Sequence, residues 1–139
     1  ISVLNKKALQ EKVPVLGICL GMQLMTKQSE EGNEKGLGWF NAETFKFDST
    51  KFPKIKIPHM GWNYIEDRNK ILNSDKKYRF YFVHSYYVKC IDENDVLFTT
   101  KYGHEFHSGI KKDNIIGMQF HPEKSLHFGM DIFEKFSYM

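Results

Sequence analysis

Long apolar runs are missing from these 139 residues: no stretch approaches the roughly 18 that a membrane-crossing helix needs, although 41% of the chain is hydrophobic. The opening residues, ISVLNKKALQ, lack the basic-then-apolar order of a secretory leader. Cysteine is scarce, at two residues, Cys19 and Cys90, and without a leader both are expected to be free thiols in a soluble, cytoplasmic protein. Neither sign of charge dominates: 20 Lys and Arg face 17 Asp and Glu, a net of +3. The densest basic group, Lys76-Lys77-Tyr78-Arg79, follows Asp75 and reads as a solvated turn, so neither nucleic acid nor a membrane surface is called for as a partner. Repeats, linkers and low-complexity tracts are absent too, which leaves one domain, residues 1–139, as the expected organisation.

What is present alternates between helical and extended patterns. Residues 2–12 have helical spacing, 13–18 form a short apolar run of buried-strand type, and helical spacing resumes over 20–27. A charged, glycine-containing loop over 29–36 precedes an alternating strand at 39–47. Pro53 and Pro58 bracket an irregular piece ending in PHMGWN (58–63). The aromatic and β-branched run RFYFVHSYYVKC (79–90) predicts one strand. Further strands are expected over 96–102, 105–111 and 115–120, and a closing helix over 126–138. The class is mixed α/β.

Chemistry concentrates where the first strand meets the second helix. Gly17-Ile-Cys-Leu-Gly21 has the small-x-nucleophile-x-small order of a nucleophile elbow, with cysteine as the nucleophile. Side chains two positions either side of the nucleophile are expected to clash in so tight a turn. The elbow holds the sulfur at the carboxyl edge of the sheet, where open α/β proteins bind ligands. There the helix N-terminus is expected to favour the thiolate, and the free N–H of Leu20 can donate to an oxyanion. A packed cysteine in a glycine-containing turn is the plainer reading of the same residues.

A thiol nucleophile needs a base, and six histidines are available. His121 ends a strand and is followed by Pro122, which cannot extend the ladder. Glu123 is placed to swing back and orient the imidazole. Gly103-His-Glu-Phe-His107 fails as a zinc signature, because its histidines are spaced i and i+3 between predicted strands rather than i and i+4 on a helix. No metal is expected.

Taken in order, VPVLGICLGMQL, PHMGWN, YFVHSYY and GMQFHPEKS resemble the class I (triad) glutamine amidotransferases, and among them the glutaminase subunits of imidazole glycerol phosphate synthases. The resemblance spans nearly the whole chain. It implies a flavodoxin-like three-layer sandwich with a central, mostly parallel sheet and an antiparallel extension. It also implies that Cys19 attacks the carboxamide of glutamine, that His121 carries the proton to the departing ammonia, and that Glu123 orients His121. By motif match, Gln23, Glu31, His84, Ser85 and Tyr86 line the glutamine pocket. The residues alone equally admit Gln23 as a solvent-facing helix residue, Glu31 as a loop charge and Tyr86 as a core aromatic.

In that family the ammonia passes to a (β/α)8-barrel synthase, with which the glutaminase forms a heterodimer in histidine biosynthesis. PHMGWN resembles the loop near that interface, with His59 and Trp62 as contacts, whereas Trp62 plugging a core edge is the alternative. No cofactor is implied. The sequence departs from the pattern twice. The family's first strand-helix units, with a Pro-Gly-rich loop that donates a second oxyanion contact, have no counterpart, so the chain is expected to be a fragment. Gly36-Leu-Gly-Trp-Phe-Asn-Ala42 lacks the usual Pro-Gly after its GLG and, with Phe128-Gly-Met130, resembles paralogues that supply ammonia to a sugar amidotransferase in surface-polysaccharide synthesis. A cysteine peptidase or γ-glutamyl hydrolase shares the triad, but the Gln23, Glu31 and His-Ser-Tyr set suits free glutamine better. A catalytically silent binding module is the reading of another class.

Overall fold

The computed structural model describes residues 1–139. Helix α1 (Ser2–Asn5) continues as a wider π-type turn over Lys6–Gln10, which buries Ala8 against the sheet. Strand β1 (Val15–Ile18) then leads through Cys19 into helix α2 (Leu20–Leu24). Strands β2 (Gln28–Ser29), β3 (Ala42–Lys46), β4 (His59–Tyr64), β5 (Glu66–Asp67), β6 (Arg79–His84), β7 (Tyr86–Cys90), β8 (Val96–Tyr102), β9 (His104–Lys112) and β10 (Ile115–Met118) follow. A 3-10 turn at Pro122–Lys124 leads into helix α3 (Leu126–Ser137).

Eight strands form one sheet in the order β1-β10-β9-β7-β3-β2, with β8 on β9 and β5 on β8; β4 and β6 form a separate two-stranded sheet. The strand pair that matters most is β1 with β10, parallel from Val15 opposite Ile115 to Ile18 opposite Met118. All four β10 residues are buried, as expected of a strand covered on both faces. Cys19 and the segment leading to His121 therefore leave the sheet side by side.

The sheet separates two apolar layers. On one face Ala8, Met22 and Met25 pack with Phe40, Val88 and Ile110; on the other, Ile132 of α3 packs with Phe80, Phe82, Phe98 and Phe120. The expected α/β sandwich is present, but the sheet is not mostly parallel: only β1–β10 and β2–β3 are parallel, and the remaining pairs run antiparallel. Short connections such as Gly103 between β8 and β9 make hairpins, and parallel neighbours require long crossovers.

Two expectations about the middle of the chain are corrected. PHMGWN is not irregular, because His59–Tyr64 pairs with β6 throughout, from His59 opposite His84 to Tyr64 opposite Arg79. The run 79–90 is not one strand either. It breaks at Ser85, so that β6 joins β4 while β7 pairs with β3 in the main sheet. No helix is long and apolar enough to cross a membrane, and Cys19 and Cys90 are both free.

Candidate active site

Cys19 sits in the left-handed region, at φ 51° and ψ −107°, a conformation that costs a non-glycine residue roughly 1–3 kcal/mol. Neighbouring bonds hold it there. Its N–H donates to Met118 O at 2.7 Å, and its carbonyl accepts from the N–H groups of Met22 and Gln23. Gly17 is required for this turn, since a Cβ there would lie 2.5 Å from Met25 Cε and 2.8 Å from the Gly21 backbone. The matching expectation for Gly21 is corrected: a Cβ there would meet nothing within 4 Å. The crowding comes from the strand side of the elbow, where the helix folds back over it.

The thiol donates to Val83 O at 3.8 Å and accepts from Gln119 Nε2 at 3.6 Å, within the longer reach of sulfur. Burial pushes its pKa above the usual value; the Leu20 N–H and the Gln119 amide pull it down, and the charges of Glu123 and Glu31 push it up. The expectation of a thiolate favoured by the helix terminus is thus not met. Helix α2 is only five residues long, and desolvation of the charged form outweighs its N–H groups. Burial thus disfavours the thiolate, which sharpens the need for a base.

His121 lies just beyond β10, its N–H bonded to Tyr81 O at 2.9 Å. Its Nδ1 is 2.5 Å from Glu123 Oε1. A carboxylate can only accept, so the proton sits on Nδ1 and the Nε2 lone pair is free. Ser125 clamps the segment, donating from Oγ to His121 O at 2.6 Å and accepting from Tyr81 N–H at 3.0 Å. Gly129 lets α3 approach this turn, since a Cβ there would fall 1.8 Å from Pro122 O.

The pocket residues expected from the sequence divide in two. Gln23 is buried, not solvent-facing: its Nε2 donates to Tyr86 O at 3.2 Å and to Gln119 Oε1 at 3.0 Å, which leaves its Oε1 free as an acceptor. His84 is buried and its Nδ1 donates to the same Tyr86 carbonyl at 2.7 Å. Ser85 is the bend between the two sheets, and its carbonyl accepts from Phe47 N–H. Glu31 is exposed on its loop, close enough to Cys19 for its charge to be felt at the sulfur.

His59 is not available as an interface contact. It is 3% exposed, stacked between Phe82 and Tyr102, and its Nδ1 lies 2.9 Å from His84 Nε2. Because His84 donates from Nδ1 to a carbonyl, its Nε2 must accept, His59 must donate from Nδ1, and Asn63 Nδ2 donates to His59 Nε2 at 3.1 Å. Both rings are neutral: burial lowers His59 to about 3 and His84 to about 4. Trp62 is on the opposite face of β4, 44% exposed beside Met60 and Tyr64, with the Arg79 guanidinium 5.6 Å from its ring. It plugs no core edge.

Val83 and Gln119 were missed by sequence reasoning. Gln119 carried a signal, a lone amide inside the apolar run IIGMQF; Val83 contributes only its carbonyl and left none. A cavity of about 800 Å³ between residues 45–57 and the Tyr87 and His104 rings is lined by none of Cys19, His121 and Glu123.

Fold and site together define an α/β protein with a cysteine on a strand-helix elbow and a histidine–carboxylate pair beyond the parallel neighbouring strand. The family model described as glutamine amidotransferase class-I matches residues 2–138, and the chain belongs to that family. Among curated relatives, a protein of Methanococcus maripaludis named imidazole glycerol phosphate synthase subunit HisH 2 is 58% identical over 139 residues, covering 98% of this chain and 68% of its own. One of Leptospira interrogans, named imidazole glycerol phosphate synthase subunit HisH, is 42% identical over 139 residues, covering 97% of this chain and 68% of its own. A glutamine amidotransferase structure from Thermotoga maritima superposes with a TM-score of 0.61 at 21% identity, covering 98% of this chain; the chain spans about half, 52%, of that structure. Likeness at that identity bears on the fold alone.

Proposed function

We propose that the chain is the glutaminase part of an imidazole glycerol phosphate synthase, hydrolysing glutamine to glutamate and ammonia and passing the ammonia to a (β/α)8-barrel synthase subunit in the cytoplasm. The names of its relatives support the assignment. The observation that carries the chemistry is that Cys19, on its elbow, leaves β1 beside its parallel partner β10, the strand that leads to the hydrogen-bonded His121–Glu123 pair.

Cys19 Sγ adds to the side-chain carbonyl carbon of glutamine as its proton passes to His121 Nε2. The Leu20 N–H donates to the oxyanion that forms. His121 then gives the proton to the leaving nitrogen, the C–N bond breaks, and ammonia departs from a γ-glutamyl thioester. Water attacks the thioester, His121 takes its proton and returns it to the sulfur, and glutamate leaves. Glu123 holds the tautomer this cycle needs. Gln23 Oε1 and Glu31 suit the α-ammonium group of glutamine, and the segment of His84, Ser85 and Tyr86 forms the adjoining wall. No cofactor enters any step.

The test is release of glutamate and ammonia by the full-length protein, with and without a purified histidine-pathway barrel subunit. Binding of that subunit and glutaminase activity in its presence are expected. If the subunit neither binds nor changes activity, the histidine-pathway assignment fails. The second reading, ammonia supply to a sugar amidotransferase, then takes precedence; it rests on the Gly36–Ala42 segment and leaves the glutaminase chemistry unchanged.

A further inference from the structure

We propose that Gln119 is a positioning residue for the nucleophile, a buried amide that presents an N–H to Cys19 Sγ and supports its thiolate. This rests on the reading of Cys19 as the attacking group.

Tyr86 C=O can only accept, so the Gln23 amide must turn its nitrogen towards it, which the 3.2 Å contact satisfies. The second hydrogen on that nitrogen points to Gln119, 3.0 Å away, where only the amide oxygen can accept it. Gln119 then has its nitrogen alone for the sulfur, at 3.6 Å. Reversing Gln23 sets its oxygen against the Tyr86 oxygen, and reversing Gln119 sets its nitrogen against that of Gln23. The orientation at the thiol is therefore fixed by β7, through two side chains that are 6% and 0% exposed.

The backbone of Gln119 is equally constrained, its N–H donating to Ser108 O at 2.9 Å. When the thiol gives up its proton, the hydrogen bond to Val83 O is lost and that from Gln119 strengthens, because a donor to an anion is worth more than a donor to a neutral sulfur. Gln119 thus opposes the burial and the charges of Glu123 and Glu31, which disfavour the thiolate. Gln23 acquires a second duty beside its free Oε1, that of holding Gln119 the right way round.

Alkylation of Cys19 by iodoacetamide, followed against pH in the substrate-free full-length protein and quantified on the Cys19 peptide, reads this directly. Cys90 does not interfere: it is buried, and desolvation pushes its thiol up to about 12. Gln119→Met keeps the volume and removes the donor. Gln119→Glu keeps the acceptor for Gln23 and sets a carboxylate beside the sulfur, so it serves if the methionine variant does not fold.

Each is expected to raise the apparent thiol pKa by about one unit or more, with a roughly ten-fold slower alkylation near pH 7. A purely structural Gln119 lowers the melting temperature and leaves that pKa in place, and an unchanged pKa in folded variants overturns the proposal. Failure of the underlying reading is separable, because it shows as glutaminase activity surviving in Cys19→Ala, whereas the Gln119 proposal is read from the Cys19 titration in proteins that keep the thiol.

Discussion

His121 Nδ1 and Glu123 Oε1 lie 2.5 Å apart across one 3-10 turn that starts at Pro122. In the proposed cycle the carboxylate fixes the imidazole tautomer and supports the positive charge the ring would gain on taking the thiol proton. Glu123→Gln retains an oxygen acceptor and loses the charge. It is expected to lower kcat for glutamine hydrolysis roughly 10- to 1000-fold with little change in KM. Steady-state kinetics beside wild type check this, and an unchanged kcat contradicts the role.

The two glycines of the elbow are expected to respond differently to alanine. Gly17→Ala forces a methyl against Met25 Cε and the Gly21 backbone and should destabilise by about 1–3 kcal/mol. Gly21→Ala has open space and lies in a helix, where alanine is preferred by up to about 1 kcal/mol. Denaturant midpoints of the two variants decide it. Equal losses contradict the one-sided crowding.

Stability should fall on mild acidification because of the His59–His84 pair. Burial holds these rings neutral down to about 3 and about 4, whereas in the unfolded chain each takes up a proton near pH 6.5. Below that pH the unfolded state binds more protons, so their contribution is complete above about 6.5 and is lost as pH falls towards 4, at no more than about 1.4 kcal/mol per pH unit for each ring. Urea unfolding at pH 7 and pH 5 measures the slope. It should flatten in His84→Gln, and equal slopes in the two proteins contradict the assignment.

Trp62 is exposed beside Met60 and Tyr64, and its ring touches Arg79 and Tyr81 only at the surface. Trp62→Ala is expected to leave the melting temperature within a few degrees and to weaken binding of the barrel subunit by about 2 kcal/mol or more, as truncation of an interface anchor does. Titration calorimetry measures the loss. Unchanged affinity removes Trp62 from the interface.

The elbow was legible in the sequence because its signals are local: an apolar run, a glycine where the helix folds back, and a cysteine between them. His121 and Glu123 were legible because Pro122 ends the sheet pairing there. What escaped depends on contacts distant in sequence. PHMGWN looks irregular with Pro58 and Gly61, and becomes a strand only because β6 lies beside it. The aromatic run 79–90 shows little sign of a break, since a lone Ser85 is a weak turn signal; the switch between sheets is visible only once β6 is seen to pair with β4 and β7 with β3. His59 was expected at the interface through the resemblance of PHMGWN alone, and its burial depends on Phe82, Tyr102 and His84, which other strands supply. The direction of the Cys19 shift likewise follows burial, which no local pattern reports.

The most direct test is an acid quench of the full-length protein during glutamine turnover, with mass spectrometry of the peptide that carries Cys19. A γ-glutamyl thioester on Cys19, absent with Cys19→Ala together with all glutaminase activity, is the predicted result. Turnover without such an adduct, or activity that persists in Cys19→Ala, contradicts a thiol nucleophile at the elbow.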